Sequence, residues 1–332
     1  MILTGGRRAF SPCAGLLVIG DLHVSSRRPG RRTDASWPQP ILLKLERCAA
    51  LANERNLLPV LLGDLFERPV EPDMALTSRL VRILKSFRHR PLANVGNHDI
   101  GHTRLSDGDS LSVLALSDVL DAVALSGPVG AVEIGGVRWG LGFTPFGQDI
   151  PIDIRGALPG TDGIAWFTHH DLAFGQGYPR AVPPRAIEGA GVAINGHVHK
   201  TERPIRAGGT LWHNPGAIAR ISVDLLDHRP AAWIVAPDGS LAPEPLPHEA
   251  DVFDLTGRLV PAADGAAVAA DSESAFVTLL KAEAATEMGR SDDGSVLRDE
   301  IEARFLAEET GEDVRAVVRS LLAEAVERRA GR

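Results

Sequence analysis

Cysteine is scarce in this sequence: only Cys13 and Cys48 occur in 332 residues. Two thiols are too few for the disulfide framework of a small secreted domain, and no CxxC pair indicates a structural zinc site. We therefore expect a reducing, cytoplasmic environment.

Long apolar runs are also missing. No stretch of about 18 apolar residues occurs, so we expect no membrane span and no membrane partner. Arg7 and Arg8 precede a short apolar stretch and superficially resemble a twin-arginine export signal. That stretch ends in the charged sequence GDLH (residues 20–23) without a cleavage-like site, so we interpret it as part of the fold.

An excess of one charge is confined to the end of the chain. Residues 251–332 hold 10 basic and 18 acidic side chains, whereas residues 1–250 hold 25 of each. The composition, 44% apolar and 23% charged, is typical of a globular protein. We predict a main domain over 1–250 and an acidic, mainly helical C-terminal segment over 251–332, with helices near 273–287, 296–308 and 313–328.

Strand and helix patterns alternate through the main domain. Short apolar runs at 16–19, 58–62, 91–95, 164–168 and 192–194 predict buried strands, and three-four spacing predicts helices over 41–53 and 74–87. Gly135 and Gly136 divide 131–143 into a hairpin, and further strands are expected at 209–212 and 231–236. These patterns predict an α/β fold with mixed sheets covered by helices.

Five polar clusters stand where predicted strands end. They are GDLH at 20–23, GDLF at 63–66, GNHD at 96–99, THHD at 168–171 and GHVH at 196–199. Residues two apart in a strand share a face, so Asp21 can converge with His23, and His197 with His199. A single Asp-x-His is common, and a lone histidine is usually core or surface. Five clusters in series instead indicate a metal site, because burying so many ionisable groups without a cation is costly.

The order of these clusters resembles the calcineurin-like metallophosphoesterase family over residues 16–217. The resemblance implies a four-layer α/β/β/α sandwich of two mixed β-sheets flanked by helices, with 1–250 as the catalytic domain. Glu67 departs from the Asp or Asn that many members carry after the second cluster, at a position that is not a metal ligand in the family.

The resemblance also implies two divalent metal ions. Asp64 would bridge them, Asp21, His23 and His199 would complete one site, and Asn97, His169 and His197 the other. His170 is the rival to His169. A set of oxygen and nitrogen ligands without thiolate suits manganese or iron and can also bind zinc. Manganese is our first choice by resemblance.

His98 is the catalytic residue that the family resemblance implies. It would protonate the departing oxygen, and Asp99 would orient its imidazole. A merely structural hydrogen bond is the alternative for His98.

Substrate contacts are predicted at two places. Arg27, Arg28, Arg31 and Arg32 follow His23 closely and could hold phosphates, although a solvated surface loop is an equal reading. His213 could line the cleft, whereas His89, His102, His228 and His248 look ordinary.

The wider pattern is most similar to SbcD-type DNA repair nucleases. It consists of a leucine-rich helix at 109–117, Asn214-Pro215-Gly216 and the segment 246–257. That resemblance implies DNA as substrate and an ATPase partner subunit docked on the C-terminal helices. A phosphomonoesterase, a cyclic nucleotide phosphodiesterase or a protein phosphatase, and a non-catalytic scaffold, remain alternatives.

Overall fold

A computed structural model describes residues 1–3, 8–175 and 181–255 of the protein. These residues belong to one structural unit, Met1–Leu255, which includes the first five residues of the predicted C-terminal segment. The helices predicted over 273–328 lie outside the described residues, so the proposed division into domains stays a prediction.

The described residues form fourteen strands and three α-helices. The strands are β1 (Ile2–Leu3), β2 (Arg8–Ala9), β3 (Gly15–Ile19), β4 (Leu57–Leu61), β5 (Leu92–Asn94), β6 (Asp121–Val123), β7 (Gly127–Ile134), β8 (Val137–Thr144), β9 (Gly163–His169), β10 (Val192–Gly196), β11 (Glu202–Ala207), β12 (Thr210–Asn214), β13 (Ala231–Val235) and β14 (Leu241–Pro245). The helices are α1 (Gln39–Glu54), α2 (Met74–Ser86) and α3 (Ser110–Leu116). Each of the predicted strands, the hairpin and both long helices is present within a few residues of its predicted bounds.

Two seven-stranded sheets organise the fold. The first has the order β1-β6-β5-β4-β3-β13-β14, in which β13 is antiparallel to both of its neighbours, β14 and β3. The second has the order β11-β12-β10-β9-β8-β7-β2, in which β8, β9, β10 and β12 are parallel and β7 and β11 antiparallel to their neighbours β8 and β12. The predicted α/β fold with two mixed sheets is confirmed.

Side-chain alternation explains how the second sheet buries both faces. In β9, Ala165 and Phe167 face the first sheet across the central core, whereas Ile164 and Trp166 face outward. All three described helices pack on the first sheet. Among the described residues, loops within 150–162, 170–175 and 181–191 cover the outer face of the second sheet, where the four-layer expectation had placed helices.

Local sequence accounts for the well-defined start of α2. Asp73 accepts hydrogen bonds from the backbone N–H groups of Ala75 and Leu76, a typical N-cap. Leu76, Leu80 and Leu84 follow at four-residue spacing and are buried against the first sheet. The capped, amphipathic segment therefore has one face for the core and one for water.

The carboxyl ends of five strands meet at one edge of the molecule. β3, β4 and β5 are parallel in the first sheet, and β9 and β10 are parallel in the second. The imidazole Nδ1–H of His169, at the end of β9, donates to the carbonyl of Leu62, just beyond β4, at 3.0 Å. This bond joins the two sheets where the five polar clusters follow. Among the described residues, no helix is long and apolar enough to cross a membrane.

Candidate metal centre

Four side chains from three strand exits form the first group of potential ligands. Asp21 and His23 follow β3, Asp64 follows β4, and His199 follows β10; one ligand atom from each lies within 4.8 Å of the others. His23 Nε2 is 3.0 Å from His199 Nε2 and 3.7 Å from Asp64 Oδ2. The arrangement directs two imidazole nitrogens and a carboxylate at one point.

A second group shares Asp64. The ligand atoms of Asp64, His169 and His197 lie within 4.8 Å of one another, and His169 Nε2 is 3.2 Å from Asp64 Oδ2. Asn97 Oδ1 lies 3.2 Å from His169 Nε2 and 2.8 Å from His197 Nδ1. The seven residues named in the sequence are thus brought together in the two predicted groups with Asp64 in both, while their binding of ions stays a prediction.

Two buried carboxylate oxygens show that a cation fits this cluster. Asp21 Oδ1 accepts from the backbone N–H of His197, and Asp64 Oδ1 accepts from the backbone N–H of His98, both at 2.9 Å. The other oxygen of each, Asp21 Oδ2 and Asp64 Oδ2, is buried without a hydrogen-bond partner. Such an orphaned oxygen is costly, and a bound cation would relieve the cost.

Hydrogen bonds outside the cluster fix which nitrogen His169 and His197 present to it. His169 uses Nδ1 on the Leu62 carbonyl and presents Nε2, whereas His197 uses Nε2 on Asp171 Oδ1 at 2.7 Å and presents Nδ1. A metal-binding histidine typically bonds through its other nitrogen to a carbonyl or carboxylate in this way. The ring orientations therefore suit ligation by neutral imidazoles.

The pKa values in the cluster also indicate a place for positive charge. Burial lowers the pKa of the His169 imidazole, but the Asp64 carboxylate, Asp21 and the Leu62 carbonyl together outweigh burial and raise that pKa to about 9. Burial raises the pKa of Asp64, yet the surrounding imidazoles, His169 first, hold it well below its usual range. Burial lowers the pKa of His199 to about 4. A proton on His169 thus balances part of the negative charge that a cation would balance.

Backbone geometry corrects the predicted route of convergence. Asp21, His23, Asp64 and His197 have φ values of 27°, 47°, 49° and 75°, and all lie beyond the ends of their strands. These left-handed conformations are uncommon and unfavourable for residues with a Cβ, and they cluster at functional sites. Sharp turns after the strands, rather than alternation within them, bring these side chains together.

His98 lies beside the cluster, and its ring is oriented by a group other than Asp99. Its Nδ1 lies 2.8 Å from the Glu67 carbonyl, and its ring meets the His23 ring edge-on with centroids 4.9 Å apart. The hydrogen bonds of Asp99 go to the backbone and not to His98, because it accepts from the N–H groups of Leu65, Phe66 and Gly96. The prediction that Asp99 orients the His98 imidazole is therefore wrong; Asp99 instead holds the loops that carry Asp64 and Asn97.

Two carboxylates near the histidines were not predicted as part of the site. Glu67 Oε2 lies 2.8 Å from His23 Nδ1, although the two groups are not aligned as a hydrogen bond, and Asp171 bonds to His197. Asp171 stood within the fourth polar cluster, so its position was the available signal; Glu67 gave none beyond following the second cluster. His170 turns away, with Nε2 2.7 Å from the Gln148 carbonyl, which leaves His169 in the cluster.

The four arginines after His23 have different environments. Arg27 and Arg28 are exposed, and Arg28 donates to the Thr33 and Asp34 carbonyls at 3.3 Å. Arg31 is exposed and donates to the Asp254 carbonyl. Arg32 is buried and bonds both Asp34 carboxylate oxygens, at 2.8 and 3.0 Å, and the Arg220 carbonyl. The prediction that Arg32 holds substrate is wrong, because its donors are committed inside the protein.

Replacing Arg32 tests this structural role. Arg32→Gln leaves Asp34 without its buried partner, so we expect a loss of about 3 kcal/mol in the free energy of unfolding. Arg27→Gln, the exposed control, should change stability by less than about 0.5 kcal/mol. Urea denaturation of both variants measures the difference, and equal stability of the two would contradict the assignment.

His213 lies in β12, paired with Ile194 of β10. Its Nε2 is buried without a hydrogen-bond partner, and burial lowers the pKa of its imidazole. Its position in the strand gives no hydrogen bond to the cluster residues within the described part of the chain, so its role at the cleft remains a prediction.

Solved structures resemble this chain at low identity. An archaeal phosphodiesterase is 13% identical with a TM-score of 0.38, and the match covers 70% of this chain and 99% of that one. A hypothetical protein from Thermus thermophilus is 15% identical with a TM-score of 0.43, covering 70% and 100%. A 5′-nucleotidase precursor from the same organism is 15% identical with a TM-score of 0.40, covering 70% and 53%. Likenesses this distant do not specify an activity.

No protein-family model matches the chain, and the search of curated proteins finds no match. The functional conclusion therefore depends on the geometry of the residues themselves.

Proposed function

We propose that the protein is a dinuclear metal-dependent phosphoesterase. One observation carries the proposal: Asp64 stands in both ligand groups, with one oxygen held by the His98 backbone and the other buried without a hydrogen bond, 3.2 Å from His169 Nε2 and 3.7 Å from His23 Nε2. A bridging carboxylate between two sets of nitrogen and oxygen ligands is the arrangement that a two-metal hydrolase requires. Manganese is the expected metal, with iron or zinc as alternatives.

The chain contributes binding and orientation to the reaction. Asp21, His23 and His199 would hold one cation, and Asn97, His169 and His197 the other, with Asp64 between them. Two divalent cations supply Lewis-acid charge that polarises the phosphoryl group and lowers the pKa of the attacking water. The bonds from His169 to Leu62 and from His197 to Asp171 keep the ligand nitrogens aimed inward.

His98 is placed to handle the proton of the leaving group. With its Nδ1 against the Glu67 carbonyl, Nε2 is the atom left for the substrate. The backbone N–H of His98 donates to Asp64, so the ring is held beside the cluster and outside the two ligand groups that contain Asp64. A protonated Nε2 can therefore donate to the departing oxygen.

We propose that the substrate is DNA, as in SbcD-type nucleases. We propose further that the protein acts in the cytoplasm together with an ATPase partner subunit. The support is the resemblance together with exposed Arg27 and Arg28, which follow the ligand His23 by four and five residues. Guanidinium groups match phosphate oxygens, so these two side chains can position a nucleic-acid backbone.

A side-by-side substrate assay tests the proposed function. The manganese-loaded chain is incubated with bis-p-nitrophenyl phosphate, single-stranded DNA, duplex DNA, a cyclic nucleotide and a phosphopeptide. Cleavage of DNA and of the chromogenic diester supports the proposal. Turnover of only the cyclic nucleotide or the phosphopeptide would favour a different phosphoesterase, and no turnover with both metals bound would favour a scaffold.

Reversing the charge of Arg27 and Arg28 separates DNA binding from chemistry. Arg27→Glu/Arg28→Glu should weaken DNA cleavage by about tenfold and flatten its salt dependence, because two phosphate contacts are lost. Hydrolysis of bis-p-nitrophenyl phosphate should change by less than about twofold, since the variant leaves the cluster intact. Arg82→Glu/Arg88→Glu, exposed on and after α2, is the matched control. Equal loss on both substrates would remove the role of the loop in holding DNA.

A further inference from the structure

A second site lies apart from the metal cluster. A cavity of about 280 Å³ is lined by three basic side chains, Arg32, Lys44 and Arg220, by Ser36 and Gln39 around the start of α1, and by the exposed residues His248 and Glu249. None of its lining residues is one of the seven candidate metal ligands. This concentration of cations around an internal space is not used by the proposed reaction.

The three basic side chains are deeply buried. Arg32, Lys44 and Arg220 are 6%, 5% and 3% exposed. Arg32 pairs with Asp34, as described above, but no carboxylate of the described residues lies within 4 Å of the Lys44 ammonium or the Arg220 guanidinium. These two side chains therefore lack a direct ion-pair partner among the described residues, although Asp34 acts on Lys44, and Asp227 and Asp251 act on Arg220, from a longer distance.

Backbone carbonyls hold these two cations in place without neutralising them. Lys44 Nζ donates to the Ile218 carbonyl at 2.7 Å, and Arg220 donates to the carbonyls of Leu226, Glu249 and Ala250. Burial, and then the nearby Arg32 and Arg220 charges, lower the pKa of Lys44 to about 7. The one carbonyl bond of Lys44 leaves two of its ammonium N–H donors for a ligand. A negative ligand would relieve the repulsion among the three basic side chains.

The first turn of α1 adds a favourable field. The helix begins at Gln39 without a side-chain cap and without an acidic residue in its first turn. Its N–H groups are not free, because Pro40 has none and those of Gln39 and Ile41 bond to carbonyls. The helix therefore contributes its dipole, which favours an anion at this end.

We propose that this cavity binds the phosphate group of a small anionic ligand. The buried cations supply the charge, the α1 dipole adds to it, and the hydroxyl of Ser36 and the amide of Gln39 offer neutral contacts at the rim. The site does not depend on the proposed hydrolytic function, because it shares no residue with the metal centre.

Phosphate binding by the metal-free full-length chain tests the proposal. With EDTA present, equilibrium dialysis should find about one inorganic phosphate per chain, and about 10 mM phosphate should raise Tm by about 3 °C or more over chloride of equal ionic strength. Adenosine 5′-monophosphate is measured in parallel. Binding at least about tenfold tighter than phosphate identifies a nucleotide ligand, whereas equal affinity identifies free phosphate; either supports a phosphate site.

Two variants locate the binding. Lys44→Met removes one buried charge at similar length and should weaken phosphate binding by about tenfold or more. Ser36→Glu places a carboxylate beside the helix start, and should raise Tm without phosphate while weakening phosphate binding. Asp64→Asn should bind phosphate as the wild type does. Absence of phosphate binding by the wild type, or unchanged phosphate binding by Lys44→Met, would overturn the proposal. If Lys44→Met does not fold, unchanged phosphate binding by Ser36→Glu would overturn it instead.

Discussion

Asp64→Asn should reduce hydrolysis of bis-p-nitrophenyl phosphate by about 1000-fold or more, because it removes the one side chain shared by both ligand groups. Asparagine has nearly the same shape and can still accept from the His98 N–H through Oδ1. It cannot supply the negative charge or the second carboxylate oxygen, which lies 3.2 Å from His169 Nε2. Steady-state rates at saturating manganese measure the loss.

The matched control for Asp64→Asn is Asp121→Asn. Asp121 is also buried, but it pairs with Arg8 and Arg90 at the edge of the first sheet, away from the cluster. We expect Asp121→Asn to lower stability while leaving the specific activity of folded protein within about twofold of wild type. An Asp64→Asn variant with more than about a tenth of wild-type activity would contradict the bridging role.

His98→Ala should slow the cleavage of a diester with a poor leaving group, such as DNA, by about 100-fold or more while metal content stays unchanged. The imidazole is held by the Glu67 carbonyl beside the cluster, whereas only the backbone of His98 contacts Asp64. Because the backbone remains in the variant, the ligand geometry should persist and the loss should be one of kcat.

The leaving group separates proton donation from simple positioning. p-Nitrophenolate leaves without needing a proton. The rate of bis-p-nitrophenyl phosphate hydrolysis by His98→Ala should therefore fall distinctly less than its rate of DNA cleavage. His102→Ala, at an exposed histidine four residues further on, is the control and should retain activity on both substrates. An equal loss on the two substrates would show that His98 positions rather than protonates.

Much of the fold and of the cluster could be predicted from sequence, because short apolar runs such as 164–168 favour buried strands and polar residues follow each of them. The parallel strands then bring distant clusters to one edge, which is why Asp21 and His199 meet although far apart in the chain. The polar clusters after the strands indicated a metal site, whereas the division of the ligands into two groups that share Asp64 came from the family resemblance.

The features of the site that could not be predicted from the sequence depend on turn conformations and on contacts between distant residues. Nothing local indicates that Asp64 and His197 have positive φ, since that conformation is imposed by the packed loops around them. The prediction that Asp99 orients the His98 imidazole was wrong because Asp99 accepts hydrogen bonds from the N–H groups of another loop, at Leu65 and Phe66. Such contacts arise only when two exits from neighbouring strands pack together.

Arg32 illustrates the same limit for charged side chains. Four arginines in a short loop look equivalent in sequence, yet only Arg32 is drawn inside by Asp34 and by the rings of Trp37 and Phe253. Phe253 lies more than two hundred residues away, at the start of the segment predicted to be a separate acidic part. Burial of this arginine is therefore a tertiary property that no local pattern contains.

The number of cations bound per chain tests the central claim most directly. The full-length protein is stripped with EDTA, dialysed against manganese and analysed for metal alongside Asp64→Asn. Seven ligands in two groups around one shared carboxylate predict two manganese ions per wild-type chain and fewer than one per Asp64→Asn chain. A fully active wild-type chain that holds one ion or none would contradict a two-metal centre.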